Sequence, residues 1–207
     1  TNRLHTKPTL GEEQVKNLVE SATDLRGRAL LSLMATTGMR LKEACTSKIS
    51  KLDLEERELE IMTVKTDFGE RTVYFDRKTR RLLDKYINGG YRDKYHLDES
   101  DYIFISANTN QHDTKAHIST DVGRRIFVEA LEESDIEIEY EEYSDGRKRN
   151  IFTTHILRRS FCQNWIDNDG DIMSLRNLVG WKNLEMAKEY IDDEADVDKR
   201  DKFGIRV

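Results

Sequence analysis

His155 and Arg158 stand three residues apart in a segment whose apolar residues Leu157, Phe161 and Trp165 recur every four, so on a helix the two cationic groups share one face and the apolar stripe takes another. The stripe is core material. Burying the imidazole and guanidinium opposite it is strongly unfavourable without an anion. Alone, such a pair describes a solvated helix face as readily as an anion site, so its meaning depends on what else the chain carries. Arg40 follows the helix-end signal Thr37-Gly38, where a lone arginine is equally a charge answering the helix dipole. Tyr190 adds a hydroxyl that titrates at about 10 in water, so it attacks as a nucleophile only beside a base or a concentrated positive field.

Five features taken together decide between these readings. Thr37-Gly38-Met39-Arg40-Leu41-Lys42-Glu43 resembles the Thr-Gly-hydrophobic-Arg-x-x-Glu box of the tyrosine recombinases, the phage integrase family. Lys65, then Thr153-Thr154-His155-Ile156-Leu157-Arg158, Val179-Gly180-Trp181 and Tyr190 follow in that family's order and with closely similar spacing. Each motif is weak alone, but their ordered occurrence over nearly the whole chain is a specific signal.

The resemblance implies a mainly α fold with small antiparallel β-hairpins (α+β), the catalytic domain occupying 1–207. It implies a site-specific recombinase that cleaves and rejoins DNA through a covalent 3′-phosphotyrosine, with Tyr190 as nucleophile and Arg40 and Arg158 clamping the phosphate. Planar, permanently charged guanidinium groups suit that task because they contact two oxygens at once where negative charge develops. His155 joins them in acid–base work, Lys65 protonates the leaving 5′-oxygen, and Glu43 orients Arg40. Trp181 replaces the histidine common in the family. Its indole N–H donates one hydrogen bond to phosphate but cannot shuttle a proton, so acid–base duty falls more heavily on His155 and Lys65. Bond energy is conserved through the phosphotyrosine, so neither cofactor nor metal is expected.

The implied partners are double-stranded DNA and further copies of the chain, as a tetramer on DNA. Family members usually place a helical DNA-binding domain ahead of the matching segment. By that resemblance the chain from Thr1 is a fragment, expected to bind DNA weakly and with strong salt dependence. The tail 191–207 is expected to contact a neighbouring subunit. Two alternatives stay open: a type IB topoisomerase-like enzyme that reseals the original strand, and a DNA-binding module that keeps the fold without the reaction.

The elements that must position these groups are legible from capping and periodicity. Thr9 and Glu12 have capping-box spacing, so a helix begins near residue 10. Leu30, Leu31, Leu33 and Met34 place the next helix in the core, ending at Thr37-Gly38. Alternation from Glu58 to Phe75 about Asp67-Phe68-Gly69 predicts a hairpin with Lys65 at the turn end of its first strand. Helices follow at 77–88 and 120–133, with the apolar segment Tyr102-Ile103-Phe104-Ile105 between them. Ile136, Ile138 and Tyr140, with Asp145-Gly146, predict an acidic hairpin over 136–152, and helices are predicted at 155–168, 171–179 and 183–191, the last two capped by Asp171 and Asn183.

The formal net charge of -6 has the wrong sign for a protein that sits on phosphate. The acidity is localised, however: residues 132–150 hold eight acids against three bases, outside the motif segments. Cys45 and Cys162 lie in helical patterns without metal-ligand spacing and read as reduced structural thiols. The first residues carry no signal-like apolar region and no stretch reaches membrane-spanning length, so no membrane is implied and the expected location is the cytoplasm.

Overall fold

The apolar cluster at residues 30–34 becomes the central helix of the chain. In the computed structural model, which describes residues 8–62, 70–92, 100–106, 117–142 and 146–190, this helix is α2 (Leu25–Thr37). Leu30, Leu31, Leu33 and Met34 are fully buried, each such burial contributing roughly 1.5–3 kcal/mol. Packed about α2 are α1 (Glu12–Glu20), α3 (Leu41–Cys45), α4 (Arg77–Asn88), α5 (Thr120–Glu132) and α6 (His155–Asp167). The N-cap Asp24 accepts from the Gly27 N–H at 2.6 Å, and Gly38 closes the helix in the left-handed region at φ +63°. A side chain at Gly38 would also meet Phe161, whose Cδ1 lies 2.5 Å from where a Cβ would sit, so the turn into Arg40 requires glycine twice over.

The first helix starts at Glu12 with Gly11 as N-cap, not at Thr9. Leu10 is buried and its N–H donates to Ser160 Oγ on α6 at 2.7 Å, which keeps the backbone extended there; the Gly11 N–H then donates to Gln14 Oε1 at 2.9 Å. Three short strands, β1 (Leu52–Asp53), β2 (Glu58–Met62) and β3 (Glu70–Tyr74), pair antiparallel in that order. The register sets Leu59 opposite Val73 and Ile61 opposite Arg71, and Leu59, Ile61, Val73 and Phe75 are buried. The expected turn and Lys65 lie outside the described residues. Asp76 caps α4 by accepting from Thr79, whose buried hydroxyl also bonds Ser32 at 2.8 Å and Thr36 at 3.2 Å, tying α4 to α2.

Ile103, Phe104 and Ile105 are buried in a segment held by isolated bridges, Lys48 with Tyr102 and Ile105 with His117. The acidic hairpin is shorter than expected. Among the described residues its paired strands are β4 (Tyr140–Glu142) and β5 (Lys148–Asn150), because Ile136 and Ile138 pack on the main core outside the ladder. After α6 comes α7 (Ile172–Val179), capped by Asp171 and closed by left-handed Gly180 at φ +66°. The last element among the described residues is a 3₁₀ helix, Leu184–Glu189, where an ordinary helix over 183–191 was expected. Asn183 takes the N-cap position without a side-chain bond. Ala187 and Tyr190 are both buried, and a three-residue repeat brings them onto one face. Overall the chain is mainly helical with small antiparallel β pairs. No helix among the described residues is long and apolar enough to cross a membrane.

Candidate active site

Arg40 is the N-cap of α3, presented by the Gly38 turn, with a side chain 36% exposed. Glu43, one turn on, accepts from the Arg40 backbone N–H through Oε2 at 2.7 Å and from Arg40 Nη1 through Oε1 at 3.2 Å. A second arginine completes the cluster. Arg71 on β3 gives both terminal nitrogens to Glu43, Nη1 to Oε1 at 3.1 Å and Nη2 to Oε2 at 2.8 Å, and its Nε to the Leu178 carbonyl at 2.8 Å. The Arg71 and Glu43 side chains are each 8% exposed. Burial by itself would push the Glu43 carboxyl up. The Arg71 guanidinium, helped by Arg40, overcomes that and holds the carboxyl below its ordinary range.

Arg158 approaches the same region from α6. It is 2% exposed, and its Nη1 donates to the Gly38 carbonyl at 2.8 Å and its Nη2 to the Val179 carbonyl at 2.7 Å. Two helix-terminal carbonyls therefore accompany the buried guanidinium where the residue pattern had called for an anion. Burial, and then the charge of Arg40, pulls the Arg158 pKa down to about 10. His155 is the first residue of α6 and is exposed, so the two cationic residues predicted to share a face divide between surface and interior. Leu157 is buried as core, while Phe161 and Trp165 are partly buried against a second apolar cluster.

That second cluster holds Trp181 and Tyr190. Gly180 turns the chain so that the Trp181 N–H donates to the Arg176 carbonyl at 3.0 Å, placing an indole that is 2% exposed against Cys162, Leu175 and Val179. Tyr190, 9% exposed, stacks on Trp181 with ring centroids 5.6 Å apart. It shares this cluster with Cys162, one turn beyond Arg158 on α6; burial pushes the Cys162 thiol up to about 11, against the lowering influence of Arg158 and of the neighbouring Tyr190 side chain. Cys45 is likewise buried and free, its thiol pushed up by burial to about 12.

Arg40, Glu43 and Arg158 are thus brought together around the α2–α3 junction, and Trp181 and Tyr190 are joined to it through α6 and the Val179 carbonyl. Lys65 lies outside the described residues. Arg71 is the residue the motif reading missed. Its signal was present: it shares the strand face of Val73 and Phe75, and a guanidinium on a buried strand face demands an acid.

A helical domain of this architecture is the tyrosine recombinase catalytic fold. The crystal structure of XerA recombinase superposes with a TM-score of 0.72 at 25% identity, covering 100% of this chain and 67% of that one. XerH site-specific recombinase in a pre-cleavage complex with its difH substrate gives 0.73 at 19% identity, covering 100% and 57%, a likeness of fold alone. The phage integrase family model matches residues 8–196, and the chain belongs to that family. Tyrosine recombinase XerC of Lactobacillus leichmannii is 26% identical over 184 residues, 86% of this chain and 56% of that protein. Tyrosine recombinase XerA of Pyrococcus furiosus is 27% identical over 187 residues, 88% of this chain and 56% of that protein. The chain therefore spans little more than half the length of these relatives.

Proposed function

We propose that this chain is the catalytic domain of a site-specific DNA recombinase acting on double-stranded DNA in the cytoplasm, as a tetramer of full-length copies. The observation that supports this most is the anchoring of Arg158 to the Gly38 carbonyl, two residues before Arg40, because it sets two guanidinium groups at one junction. Two like charges so placed repel, and the pull of Arg40 on the Arg158 pKa reflects it. A phosphodiester between them relieves that repulsion, and the relief grows as charge accumulates on the non-bridging oxygens during transfer.

In the proposed reaction Tyr190 gives up its phenolic proton to His155 as base, its oxygen attacks phosphorus, the phosphorus–O5′ bond breaks, and a 3′-phosphotyrosine forms. The leaving 5′-oxygen takes a proton from Lys65, and His155 serves acid–base exchange at the phosphate. Trp181 supplies an N–H donor and a packing surface. Tyr190 is stowed, buried and stacked on Trp181, and in this reading the Leu184–Glu189 segment shifts on binding DNA to release it. The acidic hairpin and the tail 191–207 belong to the same domain in this reading, the tail contacting a neighbouring copy.

The test is a denaturing gel of the chain incubated with nicked duplexes whose arms are randomised in sequence. The expected result is a covalent protein–DNA adduct with wild type and none with Tyr190→Phe. An adduct that persists in Tyr190→Phe removes Tyr190 as the nucleophile, and no adduct with wild type overturns the reading as a whole.

A further inference from the structure

We infer that Arg71 is a positioning residue for DNA cleavage, keeping Glu43 occupied so that Arg40 is aimed by that carboxylate without being neutralised by it. The inference rests on the proposed recombinase reading and extends it to a residue outside the family boxes quoted above.

Three facts carry it. First, the division of hydrogen bonds is unequal. Glu43 meets Arg71 through both oxygens, at 2.8 and 3.1 Å, with both side chains almost out of solvent, whereas the Arg40 guanidinium reaches one oxygen at 3.2 Å and is 36% exposed. A bidentate, desolvated pair dominates an exposed single contact, so the charge of Glu43 is chiefly answered by Arg71. Arg40 is left held by its backbone and one nitrogen, with its charge available to a phosphate.

Second, Arg71 is fixed independently of Glu43. Its Nε donates to the Leu178 carbonyl at 2.8 Å, and Gly180 lies so close that a Cβ there would stand 3.2 Å from Nη1. The guanidinium is therefore keyed between α3 and the end of α7, the segment whose Val179 carbonyl also receives Arg158. Third, the charge around this junction does not cancel. Arg40, Arg71 and Arg158 act on one another there, with Glu43 as the carboxylate among them, and such an excess of positive charge suits a phosphate. Removing Arg71 frees Glu43 to close on Arg40 and quench the charge nearest solvent.

Lysine at this position keeps one positive charge but cannot bond both Glu43 oxygens and the Leu178 carbonyl with one planar group. The experiment compares adduct formation by wild type, Arg71→Lys and Arg71→Gln on nicked duplexes selected for reaction with wild type. Each duplex is made in two forms, one with an ordinary scissile phosphodiester and one with a neutral methylphosphonate there. The methylphosphonate carries no charge for Arg40 to meet, so a defect that acts through Arg40 disappears on it. The expected result is a fall of about tenfold or more on the phosphodiester, the scale of one lost charge-assisted hydrogen bond, and rates within about threefold of wild type on the methylphosphonate. Arg40→Ala is expected to show the same selectivity.

Both DNAs are read with one preparation, so partial unfolding lowers both rates alike and does not imitate the result. An equal defect on both DNAs, or no defect on either, overturns the role of Arg71 while the Tyr190-dependent adduct of wild type stands. Loss of that adduct in wild type instead overturns the parent reading together with this one.

Discussion

The indole of Trp181 lies over the phenol of Tyr190 with ring planes 23° from parallel and centroids 5.6 Å apart. The two side chains, with Cys162, Leu175, Val179 and Ala187, form an apolar cluster of their own among the last described elements, apart from the main core around α2. The nucleophile proposed here is thus also a packing residue, and Trp181 stacks on its ring.

Trp181→Ala is expected to cost about 3–5 kcal/mol of stability, because a fully buried indole is replaced by a cavity that the short 3₁₀ segment fills only partly. Urea unfolding followed by far-ultraviolet circular dichroism measures it. Trp181→Phe, which retains a stacking ring, is expected to lose less. A loss for Trp181→Ala no greater than that of an exposed substitution such as Met62→Ala would show that the cluster contributes little.

Cys162 reports on the position of Tyr190. With its thiol buried and raised to about 11, it is expected to resist maleimide at pH 7 in the free protein. Trapping the phosphotyrosine adduct withdraws the Tyr190 side chain from the cluster, so labelling of Cys162 in a Cys45→Ser background is expected to accelerate at least severalfold. Equal labelling of free and trapped protein would contradict the stowed arrangement.

Glu43 makes stability depend on acid. Its folded pKa lies below the ordinary 4.5, so its contribution is fully present above that value and is lost as pH falls through the lower folded value. Glu43→Gln is expected to be less stable than wild type at pH 7, since Arg71 keeps a buried charge without its counter-ion. It is also expected to lose less stability between pH 5 and pH 3, as read from urea midpoints. Parallel pH profiles for the two proteins would sink the assignment.

Local chemistry made much of this chain readable. The apolar residues of α2, the glycine that must end it, the aspartate cap of α7 and the alternation of β2 and β3 act over a few residues, and each leaves its mark in sequence spacing. The ordered boxes at Arg40, His155–Arg158, Trp181 and Tyr190 pointed to the phage integrase family, to which the chain belongs. Readings failed where a distant partner outweighed a local signal. Thr9 lost the helix start because Leu10 is held by Ser160, and the acidic hairpin shortened because Ile136 and Ile138 are claimed by the main core.

Sequence by itself determined the family and the helical class and marked Arg40, His155, Arg158, Trp181 and Tyr190 as candidates, but not Arg71. Tertiary structure alone decided how their charges are distributed. Arg158 is buried on carbonyls of Gly38 and Val179, 120 and 21 positions away, and Arg71 binds Glu43 and Leu178 across 28 and 107 positions. No local propensity records such pairs, because a buried guanidinium is stabilised by whichever acceptors the fold brings to it, and those acceptors are mostly backbone carbonyls that every residue type carries.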